Sequence, residues 1–305
     1  MTEDSSSTLL KEIVSTFLNA LGYCSPAARS ETMDLSDTET FKSLHAEFSA
    51  YNDGDRWYQA MCLEATALAE LPYPAHPAEI RLHIARYTWY LLFMDDLGHK
   101  IPAGLRSFQR SVLAHGDSEA TPLDGFHENL RSMYRFWDTI PANCITVSGF
   151  DFITGRIMED ELAVNPMKPS RIAISWPNFL RVKTGGAAAY AFFIFTKDHN
   201  PEISTYIHMI EDIRFFLDYV NDLLSFYKEA IEGETDNYIH ARAKVTGKTV
   251  PETLRDVADE VLAAHSRITE ALEITGASTP WNFFAKGVLD FHFSLKRYRL
   301  SDLGF

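Results

Sequence analysis

A chain of 305 residues that is 46% hydrophobic and 13% aromatic carries enough apolar material for a large buried core, which excludes a disordered chain. Its formal net charge of -14 excludes nucleic acid as the natural partner, because phosphate recognition needs clustered lysine and arginine. No apolar run approaches the roughly 20 residues that cross a bilayer, so stable membrane insertion is not expected.

The first residues, Met1-Thr-Glu-Asp-Ser-Ser-Ser, are acidic and polar, unlike a secretory leader, and 1–8 is expected to be disordered. Cys24, Cys62 and Cys144 are odd in number and far apart, without disulfide or zinc spacing, and this fits the cytoplasm. Helical periodicity then dominates, and strand signals are scarce. It predicts helices over Ser7–Leu21, Glu79–Met94, Ile203–Ile231, Pro251–Leu272 and Trp281–Tyr298. Pro251-Glu252 shortly after Thr249 is a sound helix start. Pro72, Pro74, Pro77, Pro102, Pro122, Pro141, Pro166, Pro169, Pro201 and Gly233 punctuate the runs. With no repeat and no linker, the expectation is one all-α domain over 1–305, a single-domain helical bundle around a central cavity.

Within the longest run, Asn221, Ser225 and Glu229 are spaced i, i+4, i+8. Each step of four residues drifts only about 40° around a helix, so the three side chains share one face. An amide carbonyl, a hydroxyl and a carboxylate suit a hard cation such as Mg²⁺, which wants oxygen ligands. Lys228 stands beside them, able to reach an anion held by such a metal. Spacing alone leaves a plain polar stripe equally open. The apolar flanks, Ile213, Phe215, Phe216, Leu217, Tyr219, Val220, Leu223 and Leu224, argue that this helix is central.

Asp95-Asp96 ends the apolar Glu79–Met94 run beside Gly98, where the helix dipole disfavours acids and something should compensate. Exposure to water is the ordinary reading of such a pair, and a metal cluster the functional one. Thr88, Leu91 and Leu92 share a face with Asp95, and Leu217 lies near the face of Asn221, so these four are candidates for lining a pocket. Arg214 and Asp218, at i, i+4, read first as an intrahelical salt bridge. A bend at Gly185-Gly186 would bring backbone carbonyls to a cavity wall, with plain flexibility the alternative.

These residues resemble a known family. Asp95-Asp96 is similar to the aspartate-rich motif of class I terpene synthases. Asn221-Asp222-x-x-Ser225-x-x-Lys228-Glu229 resembles their second metal motif at every specified position, in the manner of trichodiene synthase-like sesquiterpene cyclases. Phe179-Leu180-Arg181 and Arg297-Tyr298-Arg-Leu-Ser301 resemble further stretches in the expected order, and Asp151-Phe152 with Glu159 to Glu161 is a fainter echo. The resemblance runs from about Tyr87 to Ser301.

It implies a class I terpenoid synthase bundle. Asp95, Asn221, Ser225 and Glu229 would hold three Mg²⁺ ions, while Arg181, Lys228, Arg297 and Tyr298 would bind diphosphate. The implied activity is a carbon–oxygen lyase: a sesquiterpene cyclase that ionises farnesyl diphosphate, cyclises the carbocation and releases diphosphate. A C10 or C20 prenyl diphosphate, or a non-catalytic isoprenoid-binding role, stands as the alternative, and a homodimer is compatible with the resemblance. A chain-elongating prenyltransferase would be expected to carry two aspartate-rich motifs. One departure stands out: His99 and Lys100 occupy the positions where the family's first motif carries a further acid.

Overall fold

The computed structural model describes residues 3–25, 33–51, 56–114, 123–167, 170–200 and 202–305. Among them there is no strand, and the all-α expectation holds. The first seven helices are α1 (Glu3–Ala20), α2 (Glu39–Glu47), α3 (Arg56–Glu70), α4 (Ala78–Leu97), α5 (Pro102–Ala114), α6 (Leu123–Ser132) and α7 (Thr139–Val164). Then come α8 (Trp176–Gly185), α9 (Ala187–Phe193), α10 (Ile210–Glu232), α11 (Tyr238–Thr246), α12 (Val250–Thr275) and α13 (Ser278–Ser294). The contacts group the chain into two compact units. Met1–Met33, Lys168–Arg181 and Ser204–Phe305 form a C-terminal unit, and Asp34–Met167 with Val182–Ile203 forms a middle unit. No helix among the described residues is long and apolar enough to cross a membrane.

Several predicted boundaries move for local reasons. Residues 1 and 2 of the stretch expected to be disordered, with Pro122, Pro169 and Pro201, lie outside the described residues; α1 begins at Glu3. The run predicted over Ile203–Ile231 is a correction: it is two single turns, Ile203–Thr205 and Ile207–Met209, before α10 begins at Ile210. The predicted Trp281–Tyr298 helix also divides. Leu295 is extended (φ -101°, ψ 118°), so α13 ends at Ser294 and Lys296–Tyr298 forms a turn of its own. Pro141 lies in the first turn of α7 rather than between helices, a place where its missing N–H costs nothing.

In the C-terminal unit, α10 packs on α12 and α13, and α1 packs on α12. α10 has no Gly or Pro in its interior, places Glu211 and Asp212 in its first turn, and stops at Gly233 in the left-handed conformation (φ 77°). Glu234 N–H then reaches back to the Glu229 carbonyl (2.9 Å). Val220, Phe216, Leu224, Val261, Ile268, Trp281 and Phe284 are fully buried in this unit, each apolar side chain contributing about 1.5–3 kcal/mol. α12 opens on a capping box between Thr249 and Glu252.

In the middle unit, α4 is apolar nearly all round and packs on α2, α3, α6 and α7. Trp89 stacks on Phe48 (3.7 Å between ring centroids, 10°) and on Phe93 (5.3 Å, 13°). α7 approaches the end of α8 so closely that a Cβ at Gly155 would stand 2.6 Å from the Lys183 carbonyl oxygen. Gly155→Ala must therefore push two helices apart, and we expect a loss of about 1–3 kcal/mol in denaturant titration.

Two histidines in this unit make stability depend on pH. His76 Nε2 meets the Phe193 carbonyl (2.8 Å), and His83 Nδ1 meets Ser132 Oγ (3.0 Å). Burial is the main cause that lowers each to about 4. Because the folded form holds both rings neutral, their contribution is complete above the ordinary histidine value and is lost as pH falls from about 6.5 toward 4. The cost is up to about 3 kcal/mol each at the acid end. The melting temperature should fall across that window, and less steeply in His83→Gln.

Candidate active site

The C-terminal unit carries the sequence-predicted triad on one face of α10, and its three side chains differ in their support. Asn221 Oδ1 accepts from Arg181 Nη2 (3.3 Å), while its Nδ2 donates to His292 Nε2 (3.2 Å). Glu229 Oε2 accepts from Asn237 Nδ2 (2.9 Å), whose Oδ1 is occupied capping α11 at the His240 N–H (3.0 Å). The Ser225 hydroxyl is buried and, among the described residues, has no hydrogen-bond partner. A buried hydroxyl without a partner costs about 1–3 kcal/mol unless something supplies one.

These residues fit a hard cation. Among the described residues, Asn221 Oδ1 has one long contact, Glu229 Oε1 takes no part in the Asn237 bond, and Ser225 Oγ lacks a partner. Three oxygens of the type that Mg²⁺ selects thus remain available along one helix face. Among the described residues, no group of three or more His, Cys, Asp and Glu side chains is placed to hold a metal. Two of the triad's three residues are of other types.

Beside the triad lies the densest charge network of this unit. Arg181, from α8, donates to both Asp222 oxygens (Nε, 2.9 and 3.1 Å) and to the Asp218 carbonyl (Nη2, 2.9 Å); its Nη1 is 3.2 Å from Asp218 Oδ1. Asp218 is 1% exposed and also takes the Arg214 guanidinium, which in turn holds Glu211. The intrahelical Arg214–Asp218 pair read from the sequence is therefore present, and through Asp218 it also reaches Arg181. Burial pushes Asp218 and Asp222 upward while Arg181 pulls them back. Desolvation works against the charge on Arg181, but Asp222 and Asp218 outweigh it and raise its pKa.

The start of α8 is pinned from the other side. Tyr238 Oη (2.8 Å) and Tyr219 Oη (3.4 Å) both donate to Asn178 Oδ1, and Arg242 bridges Tyr238 to Glu260. Lys228 pairs with Glu232 (3.5 Å). Arg297 is exposed, its guanidinium 5.7 Å from the Tyr298 ring centre, and the turn that carries them packs on α10. Tyr298 is buried against His292 (4.5 Å between rings) and Phe291 (5.6 Å). His292 is itself buried, and that burial lowers it to about 4.

Asp95 belongs to the middle unit, in the last turn of α4. Arg156 of α7 meets it at 3.1 Å and also pairs with Glu159 (2.6 Å). The neighbouring Asp96 accepts from the Trp57 indole N–H (2.8 Å). Together these supply the compensation that two acids at a helix C-terminus demand. His99 and Lys100 are exposed.

The bend at Gly186 is real: it has φ 64° and separates α8 from α9. Its carbonyl accepts from Ser148 Oγ (3.2 Å) and from the Ala189 N–H (3.2 Å). Leu91 packs on it so tightly that a Cβ there would stand 2.8 Å away. Thr88 is buried, receives the Tyr190 hydroxyl (2.9 Å) and donates to the Ile84 carbonyl (2.9 Å). Leu92 is half-buried and Leu217 is buried. Two cavities of about 350 and 580 Å³ open in the C-terminal unit, and neither is lined by Thr88, Leu91, Leu92 or Leu217.

The sequence profile of the trichodiene synthase family matches residues 54–304, most of the chain. The chain belongs to this family of class I terpene synthases. Terpene synthase BipA from Cochliobolus sativus is 33% identical over 231 residues, covering 75% of this chain and 71% of that one. Monoterpene synthase 25 from Postia placenta is 35% identical over 74% of this chain and 68% of its own length. Longiborneol synthase CLM1 from Gibberella zeae is 28% identical over 97% of this chain and 88% of its own. Among solved structures, linalool/nerolidol synthase from Streptomyces clavuligerus superposes with a TM-score of 0.60 at 14% identity, covering 89% of this chain and 95% of that one. That likeness shows the terpene synthase fold.

For this family member, the Arg181 network missed by periodicity makes a stability prediction. Asp218→Ala leaves two buried guanidiniums short of a counter-charge. We expect a loss of about 3–5 kcal/mol in denaturant titration, well above a surface salt bridge.

Proposed function

We propose that this chain is a Mg²⁺-dependent sesquiterpene cyclase that ionises farnesyl diphosphate, cyclises the resulting cation and releases diphosphate. The observation that carries the reading is the α10 face: Asn221, Ser225 and Glu229 hold three available oxygens, one of them a buried hydroxyl with no partner among the described residues. Membership of a class I terpene synthase family supplies the reaction class.

Asn221, Ser225 and Glu229 would hold Mg²⁺, with Asp95 the further family-implied ligand, and family resemblance implies three ions. Bound there, the metal supplies positive charge that stabilises the leaving diphosphate. Lys228, Arg181, Arg297 and Tyr298 bind and orient the diphosphate oxygens. Arg181 is held by α10 carboxylates, so it engages an anion only by loosening those bonds in exchange. A diphosphate, bearing more charge than a carboxylate, is a stronger partner for a bidentate guanidinium. Thr88, Leu91 and Leu92 in the middle unit, and Leu217 in the C-terminal unit, are each proposed as pocket-lining: the leucines offer a cation no nucleophile, and the Thr88 hydroxyl already donates to the Ile84 carbonyl.

The relative named (E)-beta farnesene synthase, from Metarhizium brunneum, supports a C15 substrate at 27% identity. The similarity to a monoterpene synthase makes a C10 diphosphate the second reading.

The test is purified full-length chain with Mg²⁺ and, separately, geranyl, farnesyl or geranylgeranyl diphosphate, products read by gas chromatography. We expect a cyclic C15 product, full loss with EDTA, and recovery with Mg²⁺. Asn221→Ala and Glu229→Ala should each cut diphosphate release by about 100-fold or more. Wild-type-like release by either variant would remove the metal assignment, and turnover only with added isopentenyl diphosphate would show an elongating prenyltransferase.

A further inference from the structure

A carboxamide can be turned two ways, and only one turns its oxygen toward a metal. At Asn221 the choice is made from behind, by a residue outside every motif. His292, on α13, is 1% exposed. Its Nδ1 lies 2.7 Å from the Val288 carbonyl oxygen, which can only accept, so Nδ1 carries the proton. Nε2 is then a lone pair, and 3.2 Å from it stands Asn221 Nδ2. Turning the amide over would set Oδ1 against that lone pair, two acceptors face to face. Arg181 Nη2, a donor only, meets Oδ1 from the other side at 3.3 Å and selects the same orientation.

The imidazole has little freedom to move away. Its ring is packed against Phe291 (5.1 Å, 89°) and Tyr298 (4.5 Å, 54°). One buried ring thus touches both the first member of the α10 triad and the tyrosine of the Arg297-Tyr298 pair.

We propose that His292 is a positioning residue: it fixes the Asn221 amide with its carbonyl oxygen presented to the metal, and seats Tyr298 against the same ring. This rests on the metal reading of the α10 triad. The chemistry is that of a histidine acting through a ligand rather than as one. Removing partners of this kind typically weakens metal binding by about 10–100-fold.

The experiment titrates full-length chain with Mn²⁺ in the presence of inorganic pyrophosphate, free Mn²⁺ being read by electron paramagnetic resonance. Wild type, Asn221→Ala, His292→Phe, His292→Asn and His292→Gln are compared, each checked for folding by thermal melt. Phe keeps the ring packing and removes the acceptor. Asn keeps a donor for Val288 but stops short of Asn221. Gln places an acceptor near the position of Nε2.

We expect His292→Phe and His292→Asn to raise the half-saturating Mn²⁺ concentration by about 10-fold or more, and His292→Gln to return it to within about 3-fold of wild type. Wild-type binding in His292→Phe, with Asn221→Ala impaired, would overturn the positioning role and leave the metal site standing. If wild type binds no better than Asn221→Ala, the metal reading falls and this proposal with it. Should His292→Phe fail to fold, the Asn and Gln variants decide alone, and equal half-saturation in the two overturns the proposal.

Discussion

Two guanidiniums and two carboxylates are withdrawn from water along the first half of α10, and the polar architecture of the C-terminal unit depends on their balance. Asp218, at 1% exposure, stands between Arg214 of its own helix and Arg181 of α8; Asp222 takes the other edge of Arg181. An isolated charge at such depth would cost several kcal/mol, so each group is tolerable only because the others are in place. The same bonds fix α8 against α10, and the Asn178 contacts to Tyr219 and Tyr238 repeat that fixing one turn earlier. Arg181 also reaches Asn221, so the network that stabilises the unit borders directly on the candidate metal face.

The triad itself is built with a gradient of support. Asn221 and Glu229 are braced from behind, by His292 and Asn237, in ways that leave an oxygen of each available. Ser225, between them, has no partner among the described residues and stores the cost of a desolvated hydroxyl. The middle unit handles its acids otherwise: Arg156 sits among Asp95, Glu159 and Asp160, meeting the first two closely and the third at 4.0 Å. Arg156 thus stands beside the middle unit's candidate ligand, Asp95, while in the C-terminal unit Arg181 pairs with Asp218 and Asp222 and meets Asn221 only at its amide oxygen.

What could be read from the sequence follows from distance along the chain. The Asn221–Ser225–Glu229 face was legible because four-residue spacing is a geometric statement about one helix. The Arg214–Asp218 pair was legible for the same reason. The grip of Asp222 on Arg181 was not, since the partners are 41 residues apart and no periodicity links them. His292 fell outside every motif, and its role depends on a neighbour 71 residues away. The 26-residue α7 went unpredicted because Pro141 read as a break and its apolar residues lie on all sides. Leu295 gives no sequence signal of its extended backbone, so Arg297-Tyr298 was drawn into a helix it does not join. His99, the departure from the family's acidic motif, stands at the surface.

The shared carboxylate at Asp218 has an evolutionary consequence. Substitutions in a network of touching charges are strongly non-additive, with couplings of about 0.5–3 kcal/mol, so the cost of changing one member depends on which others have changed. Arg181, Arg214, Asp218 and Asp222 should therefore drift as a set or not at all. A lineage leaving this arrangement would have to cross intermediates that bury an unmatched charge. Selection for new products has an easier route through apolar side chains, whose exchanges at constant volume usually cost under about 1.5 kcal/mol. Separating the costly positions from the tolerant ones would let such a scaffold diversify its chemistry while its charged framework stays still.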